Sequence, residues 1–329
     1  MPHADAIQPI PDAAGRPPGW SENAVFQVHD PAAGLSVWAH VGRIPDAPHV
    51  WEGVIAVLTG GGDVLFSRAF GPTADAGVAS SGALSFRCVE PGERWRVTFD
   101  GMARTTSEAE LAAGPLADGA VVPLAVDLDF TAVHPMYGGA AADQTWATAH
   151  IDQGGRVRGV VRYGGAERTI DASGFRDHSY GPRDHARLVG DTWCAAVFPS
   201  GRALLALEVW QAGGPAFSQG FVFDGTTVHP ATVVEVPRLR SVDGGPRRFT
   251  LRITTAAGTA EAVVEQSASM ALTFGRPVGL VGGADLADPE LPVITEGPAL
   301  VTWDGETAAG WIEKSLRPGG LDGSTRNPG

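Results

Sequence analysis

Short segments with alternating apolar residues, separated by glycine-rich turns, recur along most of this 329-residue chain. Residues 54–58 and 64–70 are two such segments, joined by the turn Thr59-Gly60-Gly61-Gly62-Asp63. Because side chains alternate between the two faces of a β-strand, a strand with one buried face shows this period of two. The 44 glycines and 25 prolines are spread evenly, as turns between many short strands require. The pattern predicts an all-β fold of antiparallel sandwiches or barrels.

The other strand candidates show the same alternation, with turns at regular spacing. They are residues 25–29, 35–41, 94–99, 123–130, 146–152, 157–163, 168–171, 192–198, 203–210, 218–224, 228–236, 247–255, 260–266, 300–303 and 310–314. Only residues 107–113 and 283–287 are predicted to be helical. Closed barrels would avoid leaving so many strand edges exposed, so we favour barrels over open sheets.

The length of the chain allows two domains, each with its own core. We place the first barrel domain at residues 1–186 and the second at residues 187–318. Residues 319–329 contain Gly, Asp, Ser, Thr, Asn, Arg and Pro, with Leu321 as the one apolar exception. This composition predicts a disordered tail.

The formal net charge of −13 argues against nucleic acid and anionic membrane surfaces as partners. No apolar run approaches the roughly 20 residues that would cross a bilayer, and the N-terminal residues do not resemble a signal peptide. We therefore expect a cytoplasmic protein without stable membrane insertion. Cys88 and Cys194 are predicted to be free thiols, although a disulfide between them stays open.

Residues 174–185 contain two Asp, two His, two Arg, a Ser and a Tyr, in a chain with only 19% charged residues. Glycines near both ends and Pro182 predict an irregular segment and argue against a regular helix or a central strand. A dense ionisable cluster on such a segment favours a functional site. The alternative is an exposed polar loop whose Arg and Asp side chains pair in water.

Three familiar kinds of site are weakly supported around this segment. Potential metal ligands match no common spacing; they are His150, Asp177, His178, Asp184 and His185. Ser179 lacks the Gly-x-Ser-x-Gly turn of a nucleophile, and the triple-glycine turn lacks a phosphate-binding ending. We therefore predict a site without a metal or another cofactor.

Aromatic residues are concentrated near the same segment: Trp146, Phe175, Tyr180 and Trp193. Each one alone could be an ordinary core residue of a β protein. Together with the acids and histidines, they indicate a pocket for a large apolar ligand with a few polar groups.

Residues 149–157 and 174–184 resemble the AttH-like and carotenoid 1,2-hydratase (CrtC-like) superfamily. Within it the chain is most similar to a branch that reads His-Tyr-Glu-Gln and Gly-x-Arg-Asp-His-Ser-Trp-Gly-x-Arg, and residues 19–23, 40–43 and 310–313 match that branch too. The resemblance implies two consecutive lipocalin-like β-barrels with a hydrophobic cavity. It also implies chemistry on hydrophobic, often isoprenoid, molecules, since members include carotenoid and kievitone hydratases and, more distantly, polyketide pericyclases.

The family motif Tyr-x-Asp-x-Asn-Trp-Gly carries the expected proton donor, and its Asp corresponds to Asp177. A functional His on the preceding strand corresponds to His150. Three positions depart from the patterns: Phe175 replaces a Tyr, Tyr180 a Trp and Asp152 a Glu. These departures bear on hydration itself more than on the cavity or on Asp177.

We therefore predict a cofactor-independent acid–base enzyme, a lyase or isomerase, acting on a hydrophobic terpenoid-, steroid- or polyketide-like molecule as a hydratase, dehydratase, isomerase or cyclase. Asp177 and His150 are the predicted catalytic residues, and we expect the Asp177 carboxyl group to face the cavity of the first barrel. The predicted substrate-binding residues are Trp146, Phe175, Arg176, His178, Tyr180 and Trp193.

The alternative function is a non-catalytic carrier of hydrophobic ligands, in which the Arg-Asp-His cluster braces the junction of the two barrels. The residues leave open whether Asp177 is an acid, a base or part of that brace. A homodimer also stays open.

Overall fold

The computed structural model describes residues 6–73, 78–140, 147–182, 187–212, 217–275 and 279–318. Within these ranges the chain forms two antiparallel sheets, one after the other, and one short helix. No helix in the described part of the chain is long and apolar enough to cross a membrane. The predicted domain boundary at residue 186 and the predicted tail at 319–329 lie outside the described residues.

The first sheet closes into a barrel. Its strands are β1 (Ser21–Asp30), β2 (Leu35–Ile44), β3 (Ala47–Thr59), β4 (Asp63–Pro72), β5 (Val78–Ser81), β6 (Leu84–Glu90), β7 (Arg94–Ser107), β8 (Val121–Ala132), β9 (Tyr137–Ala140), β10 (Ala149–Tyr163) and β11 (Ala166–Gly181). The strand order is β4-β3-β2-β1-β11-β10-β8-β7, and pairing of β4 with β7 completes the circle. Strands β5 and β6 extend the sheet beyond β7, and β9 pairs with β10.

The second sheet closes in the same way. Its strands are β12 (Leu188–Val197), β13 (Ala203–Gln211), β14 (Phe217–Phe223), β15 (Val228–Glu235), β16 (Arg248–Thr255), β17 (Gly258–Gln266), β18 (Met270–Phe274), β19 (Leu280–Gly282), β20 (Val293–Trp303) and β21 (Glu306–Leu316). The order β17-β16-β15-β14-β13-β12-β21-β20 is closed by pairing of β17 with β20. The predicted all-β fold of two consecutive antiparallel barrels with little helix is confirmed.

The two helix predictions have opposite outcomes. Helix α1 (Glu108–Ala113) follows Ser107, whose hydroxyl oxygen accepts a hydrogen bond from the Glu110 amide as an N-cap. Residues 283–287 are not helical, so that prediction is wrong. Gly283 has a φ of +89° and forms an isolated bridge with Pro115, and a positive φ cannot continue a right-handed helix.

The expectation that residues 174–185 are irregular is wrong for most of the segment. Residues 174–181 belong to β11, which lies between β1 and β10 inside the first sheet. The glycines are required for close packing, since a Cβ at Gly174 would collide with Val157 and one at Gly181 with Thr148. Pro182 follows the last residue of the strand, where its missing N–H costs no ladder bond.

Strand alternation divides the apolar side chains into three cores. The interior of the first barrel includes Phe26, Val28, Val37, Phe86, Phe99 and Phe130. The interior of the second includes Cys194, Leu204, Leu251, Ile253, Val301 and Ile312. A third core joins the outer faces of both barrels and includes Val25, Trp38, Phe175, Trp193, Leu207 and Trp311. The two barrels therefore pack against each other through apolar faces of their sheets.

The two cysteines are free thiols, as predicted. Cys88 lies on β6 of the first barrel, whereas Cys194 lies on β12 and is buried inside the second. Burial raises the pKa of the Cys194 thiol to about 12, so this group is neutral and packs as a small apolar side chain.

Candidate active site

A cavity of about 340 Å³ lies between the outer faces of the two barrels. Its apolar wall comes from both barrels and includes Val25, Trp38, Leu188, Trp193, Leu207, Val209, Phe274, Leu280 and Ile294. A second void, of about 10 Å³, lies inside the first barrel beside Phe26 and Phe130. The carboxyl group of Asp177 thus faces a cavity between the barrels, where the sequence predicted a cavity inside the first one.

The residues of the 174–181 segment are separated by their alternation on β11. Asp177 and Ser179 line the cavity, and Phe175 on the same face packs edge-on against Trp193 with ring centroids 5.9 Å apart. Arg176 and His178 lie on the opposite face, toward the interior of the first barrel. One continuous motif therefore serves two different environments.

The inward-facing residues of this motif have structural partners. Two nitrogens of the Arg176 guanidinium donate to the Gln153 side-chain oxygen at 2.9 and 2.6 Å, and the group lies 5.0 Å from the Trp95 ring. His178 Nε2 is 3.0 Å from Glu22, whose other oxygen accepts from Arg43 Nε at 2.8 Å. The polar atoms of these buried side chains thus have hydrogen-bond partners inside the barrel.

The cavity-facing wall of the first barrel brings His150 between two carboxylates. Cross-strand pairing of β10 with β11 places Asp152 opposite Asp177 and His150 opposite Ser179. His150 Nδ1 is 3.6 Å from Asp152 Oδ2, and His150 Nε2 is 3.9 Å from Asp177 Oδ2. Both distances suit charge attraction and are longer than hydrogen bonds. His150 and Asp177, the two predicted catalytic residues, thus lie together at the cavity.

The Asp152 side chain is fully buried, whereas Asp177 keeps 22% of its side-chain surface exposed. The two carboxylate oxygens of Asp152 accept from Trp193 Nε1 at 3.0 Å and from the Gln219 side chain at 3.3 Å. Trp193 and Gln219 belong to the second barrel. Burial raises the pKa of Asp152 to about 6, partly offset by the neighbouring His150.

The opposite wall contains Asp191 of β12, Glu296 of β20 and Glu313 of β21, which we call the carboxyl cluster. Glu296 and Glu313 are cross-strand partners. Burial, then the charge and hydrogen bonding of Glu313, raise the pKa values of Asp191 and Glu296 well above the usual range. Glu296 also accepts a hydrogen bond of 2.6 Å from the Trp311 indole.

Sequence reasoning missed Asp191 and Glu296 and quoted Glu313 only as part of the 310–313 match. A signal was present, because Asp191 lies two residues before Trp193 and Glu313 two residues after Trp311. On a strand that spacing puts an acid and an indole on one face. An acid that shares a face with a buried Trp is itself a candidate for burial.

The predicted substrate-binding residues fall into different places. Trp193 lines the cavity, and Phe175 packs behind it. Arg176 and His178 face the other way, and Tyr180 alternates with them on that face, its ring 6.0 Å from that of His178. Trp146 lies outside the described residues, so its predicted role stays a prediction.

Among the residues that the structure describes, no group of three or more His, Cys, Asp or Glu side chains is arranged to hold a metal ion. Asp184 and His185, two of the ligands considered from sequence, lie outside those residues. Metal independence therefore stays a prediction.

Comparison with known proteins gives one matching family and two similar folds. The family described as Domain of unknown function (DUF7064) matches residues 5–317. An AttH candidate from Nitrosomonas europaea is similar in structure, with 12% identity over 90% of this chain and 91% of that chain and a TM-score of 0.58. Kievitone hydratase from Nectria haematococca is similar with 12% identity, 91% and 89% coverage and a TM-score of 0.54. No curated protein matches. At the level of fold, the resemblance to the AttH-like and carotenoid 1,2-hydratase superfamily is confirmed.

Proposed function

This chain belongs to the family described as Domain of unknown function (DUF7064), and we propose that it is an acid–base enzyme acting on a hydrophobic small molecule between its barrels. One observation carries the proposal: ionisable groups in different surroundings line two walls of the same cavity, so that they differ in how readily they give up or accept a proton. His150 and Asp177 lie on the wall of the first barrel, and the carboxyl cluster lies on the wall of the second. Pairs of groups whose surroundings separate their pKa values are the usual acids and bases of enzymes.

The apolar wall defines the substrate class. A cavity of about 340 Å³ falls within the range of small-molecule sites, and side chains such as Val25, Leu207 and Ile294 offer no hydrogen bonds. An extended apolar skeleton of the terpenoid, steroid or polyketide kind would gain free energy by leaving water for these walls. The few polar groups would then orient the reacting end.

The carboxyl cluster is the proposed acid. The pKa values of Asp191 and Glu296 are raised, so both carboxyls retain their protons to higher pH than ordinary carboxyls, because burial disfavours the charged form and the nearby Glu313 adds to this effect. A carboxylic acid that stays protonated near neutral pH can transfer that proton to a double bond or to a leaving hydroxyl group.

Asp177 with His150 is the proposed base. In hydration, the O–H bond of a cluster carboxyl breaks and its proton forms a C–H bond at one end of a double bond. Water forms the C–O bond at the other end and gives a proton to Asp177, with His150 as the adjoining acceptor. Dehydration is the same sequence in reverse, and isomerisation returns a proton from carbon in place of water addition.

The resemblances add support of two kinds. Asp177 and His150 correspond to the functional Asp and His of the superfamily, and a structural neighbour is a kievitone hydratase. Phe175 has no hydroxyl where the hydratases have Tyr, and it packs against Trp193 behind the cavity wall. Any phenol contribution to proton transfer would therefore have to be replaced, and the carboxyl cluster is suited to that role.

Proton exchange in D₂O tests the proposal on a panel of candidate substrates. Kievitone and a set of terpenoid, steroid and polyketide alkenes and alcohols would be incubated with the protein and analysed by mass spectrometry for deuterium and for gain or loss of water. We expect Asp177→Asn to slow the conversion on the order of a hundredfold, the range for loss of a general acid or base. Asp171→Asn is the matched control, because Asp171 lies on the same strand and is half exposed.

A carrier function has one observation in its favour. Asp152 is bonded to Trp193 and Gln219 of the second barrel, as a brace between barrels would be. The brace, however, uses Asp152, while Arg176 and His178 are directed elsewhere. A carrier would bind members of the panel without converting them, and Asp177→Asn would then change the melting temperature alone.

A further inference from the structure

We infer that Asp152 and Trp193 form a positioning pair, through which the second barrel fixes the orientation and charge of the His150 imidazole on the first. Neither residue needs to touch the reacting atoms for this role. The inference deepens the proposed function and rests on it, since His150 matters here as part of the acid–base group. It also changes the role of Trp193, which the sequence predicted as a substrate-binding residue.

Asp152 approaches His150 on the Nδ1 side of the imidazole ring. The 3.6 Å separation of His150 Nδ1 from Asp152 Oδ2 lies on the side of the ring away from Asp177, which approaches Nε2. A carboxylate on the Nδ1 side favours the protonated ring and the rotamer that directs Nε2 toward Asp177. A ring held in this way directs Nε2 toward Asp177, and the charge of Asp152 stabilises the imidazolium that forms when the ring takes up a proton.

The carboxylate of Asp152 is fully buried and would be costly to ionise alone. The Trp193 N–H donates to Oδ1 at 3.0 Å and the Gln219 amide donates to Oδ2 at 3.3 Å. Both donors stabilise the charged form of Asp152, so removing either one raises the pKa of this carboxyl group further. The second barrel therefore helps to keep Asp152 available as a charged partner for His150.

Trp193, the donor to Asp152, also lies next to the other parts of the site. Trp193 lies on β12, where its cross-strand partner is Glu313 of the carboxyl cluster, and its ring also lines the cavity. The same indole thus adjoins the cavity, the cluster and Asp152. A shift of β12 relative to the first barrel would move the Asp152 partner away, so the acid–base group is complete only when the two barrels are docked.

Other ionisable groups act on the same pair and belong in the test. Asp177 of β11 and Glu313 of β21 both disfavour the charged form of Asp152. Burial, and then the charge of Asp152, raise the pKa of the Tyr137 hydroxyl on β9. None of them donates a hydrogen bond to Asp152 in the way that Trp193 does. The effect of Trp193 can therefore be tested with Trp193→Phe, which removes the N–H donor and keeps an aromatic ring at this position.

The experiment follows the titration of His150 by NMR in the full-length protein. Asp152→Asn keeps the shape of the side chain and removes its charge, and we expect the His150 titration midpoint to move down by about one pH unit or more. Trp193→Phe should move it in the same direction by a smaller amount. Asp152→Glu restores a carboxylate and should bring the midpoint back toward that of the wild type.

Two controls separate this role from a purely structural one. Trp303→Phe removes an indole of the second barrel that lies against Arg202 and packs on the interior core of that barrel, on the side away from the cavity, and should leave His150 unchanged. The half-buried His229, which pairs with Asp224, serves as an internal reference within each spectrum. A variant that is merely less stable would shift the melting temperature and neither histidine.

The outcomes are distinct. An unchanged His150 midpoint in Asp152→Asn would overturn the inference, and so would a shift in Asp152→Asn combined with none in Trp193→Phe. In the D₂O assay, Asp152→Asn should slow exchange on the order of tenfold to a hundredfold, with recovery in Asp152→Glu. Failure of the proposed function would show differently: Asp177→Asn would leave exchange intact whatever the titration of His150.

Discussion

Two groups of buried carboxyls differ in the charge of the side chains around them. Inside the first barrel, Glu22 is 1% exposed and bonded to Arg43 and His178. At the cavity, Asp191 and Glu296 are buried to a similar degree, and their described neighbours are Glu313, indoles and amides, with no cation at ion-pair distance in the described part of the chain. All three carboxyls are buried, and they differ in whether a cation lies at ion-pair distance.

The difference separates structure from chemistry. A buried carboxylate with a cation partner gains back part of its desolvation cost and holds a fixed geometry. A buried carboxyl without such a partner keeps its proton instead, and the proton is then available for transfer. The 174–181 segment faces both groups of carboxyls. His178 is bonded to Glu22 inside the first barrel, while Asp177 faces the cavity across from the carboxyl cluster.

Arg43→Met would remove the ion pair between Arg43 and Glu22, and we expect it to have the largest effect on stability. Removing the guanidinium leaves the buried Glu22 without its ion-pair partner, and breaking such a pair costs about 3–5 kcal/mol of the free energy of unfolding. Urea denaturation measures the change. Arg96→Met is the matched control, since Arg96 pairs with Asp127 at the surface and its loss should cost at most about 1 kcal/mol. Equal losses for the two variants would contradict the account.

The barrels could be predicted from sequence because alternation and turn spacing are local signals. The strand character of residues 174–181 was hidden, since Gly174 and Gly181 resemble strand breakers until the neighbours that exclude a side chain are known. His150 and Asp177 were found through motifs. The cavity between the barrels depends on which outer faces pack together, a long-range property that local patterns do not encode.

The spacing of Asp191 from Trp193 was a local signal for burial of one acid, but no local signal showed that the acids of the carboxyl cluster meet. Asp191 and Glu296 lie more than a hundred residues apart in sequence and are brought together through the pairing of β12, β21 and β20. Each appears in the sequence as a single acid in an apolar strand. Their raised pKa values arise from mutual proximity and burial, and neither can be read from one strand alone.

Glu296→Gln tests whether Glu296 in the carboxyl cluster keeps its proton. The readout is the pH dependence of the free energy of unfolding. Gln resembles the protonated acid and can keep the bond from Trp311. Because the folded-state pKa of Glu296 lies above its ordinary value of 4.5, the unfolded chain releases this proton first as the pH rises. The wild type should therefore lose stability relative to the variant above pH 4.5, by roughly 1 kcal/mol per pH unit.

Urea denaturation across a pH series would measure this trend, with Glu235→Gln as the control because Glu235 is exposed and paired with Arg252. A difference that is flat with pH, or one that grows in favour of the wild type, would contradict a protonated Glu296.

The most direct measurement of the central claim is infrared spectroscopy of the carboxyl groups at neutral pH. Protonated carboxylic acids have a C=O stretch distinct from that of carboxylates, and the band shifts in D₂O. The account predicts such a band in the wild-type protein at neutral pH, reduced in Asp191→Asn and in Glu296→Gln and unchanged in Asp171→Asn. A spectrum without protonated carboxyl groups at neutral pH would contradict the claim that the second barrel presents an acid to the cavity.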